Sequence, residues 1–466
     1  MLSLLLVAVL LATVSTRTTA DTFLVLPDGA GDFPTIQAAI NASADGDRIL
    51  LGNGVFTGDG NRDVSYGGKE ITVRSESDSP ADCILDCQGS SSEPHRGFIF
   101  NSDETALSRL RGVTITGGYA DGPYPEDNEG GAVYLEGDSY YHRISATIEN
   151  CLFRENSAVS GGGVYCRDHV YATFSDCVFE ANETRVRGAG GGMYCYGYGA
   201  SPYLVRCRFI ANLNEGMYFH ANASPTIEAC EFSGHSRYGL GAASDPGEIT
   251  NCRFFDNDGH GLRADICTIA ISGCSFWNNH ADNGGALRFT WEFSGTITDC
   301  LFYNNTADES GGAVWCGEEG SVTLTNCTIA YNEAGTGAGG IDCGSAAVTL
   351  ENTIIAFSTA GEAVAGNATL SCCDLFGNAG GDWIGDIAGQ YGIDGNISED
   401  PIFRGPWDDD FTLQADSPCA PFSSPNPECD LIGSEPIGCQ PPTGVWPPAE
   451  GGSWGRVKAL FLEGTD

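Results

Sequence analysis

The stretch Glu149-Asn-Cys-Leu-Phe-Arg-Glu-Asn156 returns along the chain in altered copies. Asp176-Cys-Val-Phe-Glu-Ala-Asn182 repeats its Cys-x-Phe-x-x-Asn frame, and so does Arg206-Cys-Arg-Phe-Ile-Ala-Asn212. Cys151, Cys177, Cys207, Cys230, Cys252, Cys274, Cys300 and Cys327 all occupy the first position of that frame, at steps of 26, 30, 23, 22, 22, 26 and 27 residues. Thr353 and Cys373 continue it. A Phe, Ile or Leu follows two residues on, and five residues on comes Asn, replaced by His235 and Ser358 in two copies. A third segment reads Gly-Gly-apolar, as in Gly162-Gly-Val-Tyr-Cys166, Gly191-Gly-Met-Tyr-Cys195 and Gly311-Gly-Ala-Val-Trp-Cys316.

A period of this length is the signature of a solenoid. Within each copy the apolar residues alternate with period two, so a coil is built of short strands rather than helices. Successive coils stacked in register place equivalent residues about 4.8 Å apart, the spacing of neighbouring strands. The cysteine is then a small inward hydrophobe and the phenylalanine builds an aromatic stack. The asparagine sits at a turn and can hydrogen-bond its copies above and below. The Gly-Gly pair permits a tight corner with positive φ. Zinc sites ask for paired, converging ligands, which a ladder does not give. Stacked parallel side chains also hold their Cβ atoms too far apart for good disulfide geometry, so the ladder thiols are expected free. Disulfides are expected instead between Cys83 and Cys87, and within the set Cys419, Cys429 and Cys439.

These motifs resemble those of right-handed parallel β-helix proteins of the pectin lyase-like superfamily. Phe153–Asn156, Phe179–Asn182, Phe209–Asn212, Phe254–Asn257, Phe276–Asn279 and Phe302–Asn305 are similar to the F-x-x-N repeat of polymorphic outer membrane proteins. Gly130-Gly-Ala-Val133, Gly284-Gly-Ala-Leu287 and Gly311-Gly-Ala-Val314 are similar to its glycine-rich companion. The resemblance implies an all-β chain, a single right-handed parallel β-helix with three short strands per coil. It also implies a bacterial cell-surface or outer-membrane-associated protein, with no particular ligand.

The boundaries follow. Residues 1–20 read as a secretory signal, with an apolar run from Leu2 to Val14 and a cut after Ala20. Residues 21–56 resemble the N-terminal cap of β-helix proteins, with a helix over Thr35–Ala42 and the first solenoid strand at Ile49–Leu51. A cap is physically required, because an open solenoid end exposes core and unpaired strand edges. The β-helix spans 57–439. Asp400-Pro-Ile-Phe403, Asp410-Phe-Thr-Leu413 and Ser417-Pro-Cys419 resemble the closing segment of secreted bacterial β-helix proteins. Residues 440–466 form a Pro/Gly-rich linker and tail. No run after the signal is long enough to span a membrane.

Asp and Glu number 62 against 22 Lys and Arg, a net charge of -40, which excludes nucleic acid as a partner because no basic patch of useful size can form. Lysine is confined to Lys69 and Lys458, which disfavours a lysine base for a lyase acting within the solenoid. The motifs that the resemblance would imply for a pectin methylesterase are missing. Gly259-His-Gly261 is similar to a polygalacturonase motif, but no Arg-x-Lys follows in the next coils, and it reads as an inter-strand turn. Two insertions collect aromatic and basic residues on one edge, where solenoids usually bind. Tyr140, Tyr141, His169, Arg185, Arg187, Tyr196 and Tyr198 are the candidate glycan contacts. No cofactor is expected. The acidic groups Asp408–Asp410 and Glu126, Asp127 and Glu129 are of the type that could hold Ca²⁺, with plain solvation the blander reading.

The expected function is therefore non-catalytic: a secreted or cell-surface monomer that binds a glycan, a polysaccharide or a surface protein. The alternatives are a polysaccharide lyase or glycoside hydrolase acting on an acidic polymer, and a structural stalk. Mass mapping of thiols in the folded, unreduced protein is expected to find Cys151 through Cys327 unpaired. Consecutive cross-linked pairs would overturn the packing account.

Overall fold

A computed structural model of the chain describes residues 20–122, 128–185, 189–243, 247–317 and 319–438. Strands dominate and stack into three long parallel sheets of 14, 13 and 14 strands, here called A, B and C. Each coil visits A, then B, then C. Cys151 lies at the corner from A to B, Phe153 inside B, and Asn156 at the corner from B towards C. The chain is thus a parallel β-helix. Residues 1–19 of the segment 1–20 expected to be a signal, Arg187, Cys439 and residues 440–466 lie outside the described residues.

Period-two alternation decides which side chains enter the core. In Met193–Tyr196 and Thr268–Ser272, for example, the residues that face inward are buried while their neighbours face out. The strand register places Phe179 on Phe209, Phe209 on Phe232, Phe232 on Phe254, Phe254 on Phe276 and Phe276 on Phe302. Their ring centroids lie 4.3 to 5.0 Å apart and the planes are nearly parallel. That spacing equals the strand separation, about 4.8 Å, so the backbone ladder sets the ring stack. All six rings are fully buried.

The asparagines form the second ladder. Asn257 Nδ2 donates to Asn279 Oδ1 at 2.8 Å and Asn279 Nδ2 to Asn305 Oδ1 at 2.9 Å. Each amide also holds a carbonyl of the coil before, as Asn305 holds Phe276 at 2.9 Å. His235 takes one position of the ladder and receives the Asn212 N–H on Nδ1 at 3.1 Å. Burial pushes that imidazole down to about 4, so it stays neutral.

The cysteine ladder is free and buried throughout. It does more than fill space, because the thiol sulfur also accepts the backbone N–H of the preceding coil. Cys230 N–H reaches Cys252 Sγ at 3.4 Å, and Cys252 N–H reaches Cys274 Sγ at 3.3 Å. Burial lifts the Cys327 thiol to about 12, which keeps it protonated and inert. At the Gly-Gly corner both glycines are needed. Gly284 has φ +69°, and a Cβ on Gly285 would stand 2.6 Å from the Gly312 carbonyl oxygen of the next coil.

The N-terminal end is closed as the sequence implies, by a helix over Ile36–Ala42 whose N-cap Thr35 accepts from Ala38 at 3.2 Å. Ile36, Ala39 and Ile40 seal the core. Thr22–Val25 pairs in parallel with Arg48–Leu51, so the cap segment itself supplies the first strand of sheet A.

The disulfide expectations are corrected. Cys83 and Cys87 are both free. Cys83 opens the strand Cys83–Asp86, and extended chain carries residues four apart about 13 Å from each other, beyond disulfide reach. Cys429 pairs with Cys372, at a Cα separation of 5.7 Å, and Cys419 stays free. The bond ties down a strap formed by the residues after Ile397. Phe403, Phe411, Leu413 and Ile432 of the strap cover Leu301, Tyr303, Ala330 and Ile354 on the outer face of sheet B. Asp374 is fully buried beneath the strap, where it accepts the Glu399 N–H at 3.0 Å and the Cys419 thiol at 3.1 Å.

Substitution of Asn257 by Ala is expected to cost about 2–4 kcal/mol, because it orphans several buried polar groups at once. A change within surface scatter, about 0.5 kcal/mol, would refute a stabilising ladder. Burial lifts the Asp374 carboxyl to about 7, with the nearby Glu399 and Asp382 adding to the shift against hydrogen bonds from Glu399 N–H and Cys419. An unfolded aspartate releases its proton near about pH 4. The stability from the neutral carboxyl is therefore complete below about pH 4 and is lost progressively up to about pH 7. Denaturation midpoints measured across that window are expected to fall, and Asp374→Asn to flatten the fall. An unchanged slope in the variant would contradict the assignment.

Candidate functional site

The segments that flank sheet C include the chain's longest insertions, and its outer face is where side chains of mixed chemistry collect. The register runs one outward column from Tyr134 through Tyr165, Tyr194 and Tyr218 to Gly241, then Arg263, Arg288 and Trp315. A second column carries Glu136, Arg167, Tyr196 and His220. Period two explains both: Tyr165 follows inward Val164 and precedes inward Cys166, so it must face out.

Tyr134, Tyr165, Tyr194 and Tyr218 touch in sequence, with centroids 6.0, 5.3 and 5.6 Å apart. Tyr134 donates to Glu136 Oε2 at 2.8 Å, and Arg167 Nε lies 3.6 Å from the other oxygen of Glu136. Glu129 faces the same cluster. Burial lifts its carboxyl to about 7 although Tyr165 and Arg167 pull it down, and its Oε2 is out of solvent without a hydrogen-bond partner among the described residues. Two carboxylates, an arginine and a row of phenols thus meet on one face.

The residues singled out from the sequence divide between two edges of this sheet. Tyr140, Tyr141, His169, Tyr196 and Tyr198 lie on or beside the edge leading to sheet A. The Arg143 guanidinium lies 3.8 Å over the Tyr140 ring and 5.5 Å over Tyr171. His169 meets Tyr198 at 5.7 Å, and Tyr196 meets His220 at 6.1 Å. Tyr141 and Tyr198 are 88% and 68% exposed, free to touch a ligand. Arg185 stands on the opposite edge, in an ion pair with Asp121 and 4.6 Å over the Tyr119 ring. Its charge is already committed. Glu126 and Asp127 lie outside the described residues. Asp410 is turned onto Thr412. Among the described residues no three acidic, His or Cys side chains converge as metal ligands.

From the sequence, Glu129 reads only as a possible Ca²⁺ ligand, and Tyr134, Tyr165, Tyr194 and Tyr218 are not among the candidate contacts. The signal for Tyr134, Tyr165 and Tyr194 was present, since each follows an apolar residue after the Gly-Gly pair, whereas Tyr218 follows Gly216-Met217 with a single glycine. Glu129 carries no such mark, because its place beside Tyr165 and Arg167 is a contact between coils that leaves no period in the sequence.

The pattern of right-handed β-helix regions matches residues 97–262 and 240–398, and the chain belongs to that family. No curated protein matches the sequence. Among solved structures, a PL6 family alginate lyase, AlyGC, superposes with a TM-score of 0.54 at 14% identity, over 82% of this chain and 54% of the lyase. A GH87 α-1,3-glucanase catalytic unit from Streptomyces thermodiastaticus gives 0.42 at 12% identity, over 78% of this chain and 64% of that one. ORF18 of Geobacillus virus E2 gives 0.41 at 15% identity, over 65% and 61%. The chain therefore spans between 54% and 64% of the length of these structures. The likeness to the lyase is one of fold. Among the described residues no helix is long and apolar enough to cross a membrane.

Proposed function

We propose that the chain is an exported glycan-binding protein whose contact surface is the outer face of sheet C. The observation that carries this is the set of aromatic, histidine and arginine contacts along this face, Tyr140 with Arg143, His169 with Tyr198, and Tyr196 and Tyr218 with His220. Sugar rings present apolar C–H faces and polar edges, and exposed tyrosine offers the matching flat ring with a hydroxyl at its tip. The rigid register holds these rings at fixed intervals, so ordering them costs little on binding. Export and surface display are supported by the signal-like N-terminus and by a strongly acidic composition. The fold of the alginate lyase is in keeping with a polymer lying along the solenoid.

Glu129 favours a second reading, cleavage of a glycan. A carboxyl that is half-protonated near neutrality, beside Glu136 and Arg167, has the chemistry of a general acid or base.

The test incubates protein from residue 21 onward with acidic and neutral polysaccharides and follows both retention and new reducing ends. Retention without new ends is expected. The double variant Tyr196→Ala/Tyr198→Ala is expected to weaken retention by about tenfold, as loss of two ring contacts implies. New ends that vanish in Glu129→Gln would replace binding by catalysis. Neither retention nor cleavage on any polymer would remove the glycan reading.

A further inference from the structure

Downstream of the aromatic strip, the outer face of sheet C opens into a groove of about 450 Å³ with a different character. Its walls include Tyr238, Asp258, His260, Arg263, Asp282 and Arg288, and Arg237 closes one side. Three guanidinium groups are gathered here in a chain whose net charge is -40. Two of them have partners. Arg237 Nη1 lies 2.7 Å from Glu215, and Arg263 Nε lies 2.9 Å from Asp265 while its Nη1 donates to the Tyr238 hydroxyl at 2.6 Å.

Arg288 is the exception. Among the described residues it forms no ion pair, and its Nε is out of solvent without a hydrogen-bond partner. Its guanidinium lies 4.9 Å over the Trp315 ring. Burial and the neighbouring Arg263 both disfavour its charge. A half-buried cation with an orphaned donor is costly and uncommon, and it is relieved by any oxyanion that reaches it.

His260 supplies the complement. Its ring stacks on Tyr238 at 5.3 Å, and Nδ1 meets the Gly284 carbonyl at 2.9 Å. That contact requires Nδ1 to carry the proton. Burial, reinforced by Arg288, Arg263 and Arg237, pushes the ring down to about 3, so it is neutral and Nε2 is an acceptor. Gly259 makes the placement possible, because a Cβ there would meet the Arg237 carbonyl oxygen at 1.3 Å. Gly259-His-Gly261 is thus both the turn read from the sequence and a wall of the groove. Of the acids present, Asp265 holds Arg263 and Asp308 holds His280 at 3.0 Å, while Asp258 and Asp282 line the wall and Asp282 favours the Arg288 charge without an ion pair to it among the described residues.

We propose that this groove binds the oxyanion of an acidic sugar unit, with Arg288 pairing to the anion, His260 accepting from a neighbouring hydroxyl and the Trp315 edge bounding the ring. The proposal rests on the glycan reading above and adds a charge preference at a second place on the same face. A planar guanidinium matches the two oxygens of a carboxylate, and sulfate presents the same pair.

The experiment titrates the protein, from residue 21 onward, with oligogalacturonate, sulfated galactan oligomers and neutral glucan oligomers. At least one acidic series is expected to bind about tenfold or more tightly than the neutral one, as a charge-assisted pair implies. The two acidic arms tell carboxylate from sulfate. Arg288→Met, which keeps the apolar stem against Trp315, is expected to erase the preference, so that acidic and neutral oligomers bind alike. Independently of any variant, the acidic oligomer and not the neutral one is expected to protect Arg288 from phenylglyoxal in the wild-type protein. Equal affinity for acidic and neutral oligomers, or a preference that survives Arg288→Met, would overturn the charge site and leave the glycan reading standing. No binding by any series would overturn both.

Discussion

Everything in this molecule depends on the in-register stacking of coils at the spacing of hydrogen-bonded strands. Once each strand pairs with its own copy one coil away, a residue at a given position must lie on its equivalent above and below. Only side chains that tolerate being placed on themselves survive inside. Phenylalanine does so by offset stacking, with ring centroids 4.3 Å apart for Phe179 and Phe209. Asparagine does so because each amide is donor on one side and acceptor on the other. Cysteine does so because it is small and its sulfur accepts an N–H from the coil before, as Cys252 does from Cys230.

The same constraint explains how much the sequence discloses. The frame Cys-x-Phe-x-x-Asn is a direct image of the corner from A to B, the strand in B and the corner from B to C, so the coil could be read from spacing alone. The helix over Ile36–Ala42 was legible through its amphipathic pattern, while Thr35, read as its first residue, serves as its cap. The strap was legible only as a decaying pattern, because its apolar residues do not repeat. They answer the outer face of sheet B, where Tyr303 and Phe411 meet at 4.9 Å. The pairing of Cys372 with Cys429 was hidden for that reason, since it joins the end of the ladder to a segment that follows no frame. Cys83 and Cys87 misled because nearness in sequence stands for distance in a strand.

The outward columns show the limit from the other side. Period two is enough to turn Tyr165 and Tyr194 outward, yet it does not say that their neighbours in space are tyrosines as well. That follows only from pairing the coils in register, which gives Tyr134, Tyr165, Tyr194 and Tyr218 one line. Arg185 illustrates a partner that the sequence did not disclose. It stands in an insertion, and Asp121, one insertion earlier in the chain, pairs with it. Loops bring together what repeats keep apart, and loop contacts leave no period to read.

Charge is distributed with the same economy. Of the arginines described, Arg111, Arg206 and Arg253 lie beside a carboxylate, as expected where acids are in excess. Arg288 departs from this although Asp282 lines the same groove. The column explains why. Gly241 has no side chain, and the Tyr218 ring leans into that space, since a Cβ on Gly241 would stand 2.3 Å from it. The next two rungs are Arg263 and Arg288, and Arg263 takes Asp265 from its own strand. The residue aligned with Asp265 one coil later is Thr290, which donates to Asp265 rather than serving Arg288. A second acid at that position would have neutralised Arg288 within its own coil. The threonine instead strengthens the carboxylate that holds Arg263 and leaves the neighbouring cation facing the groove, so a single rung of the register separates the structural arginine from the uncompensated one.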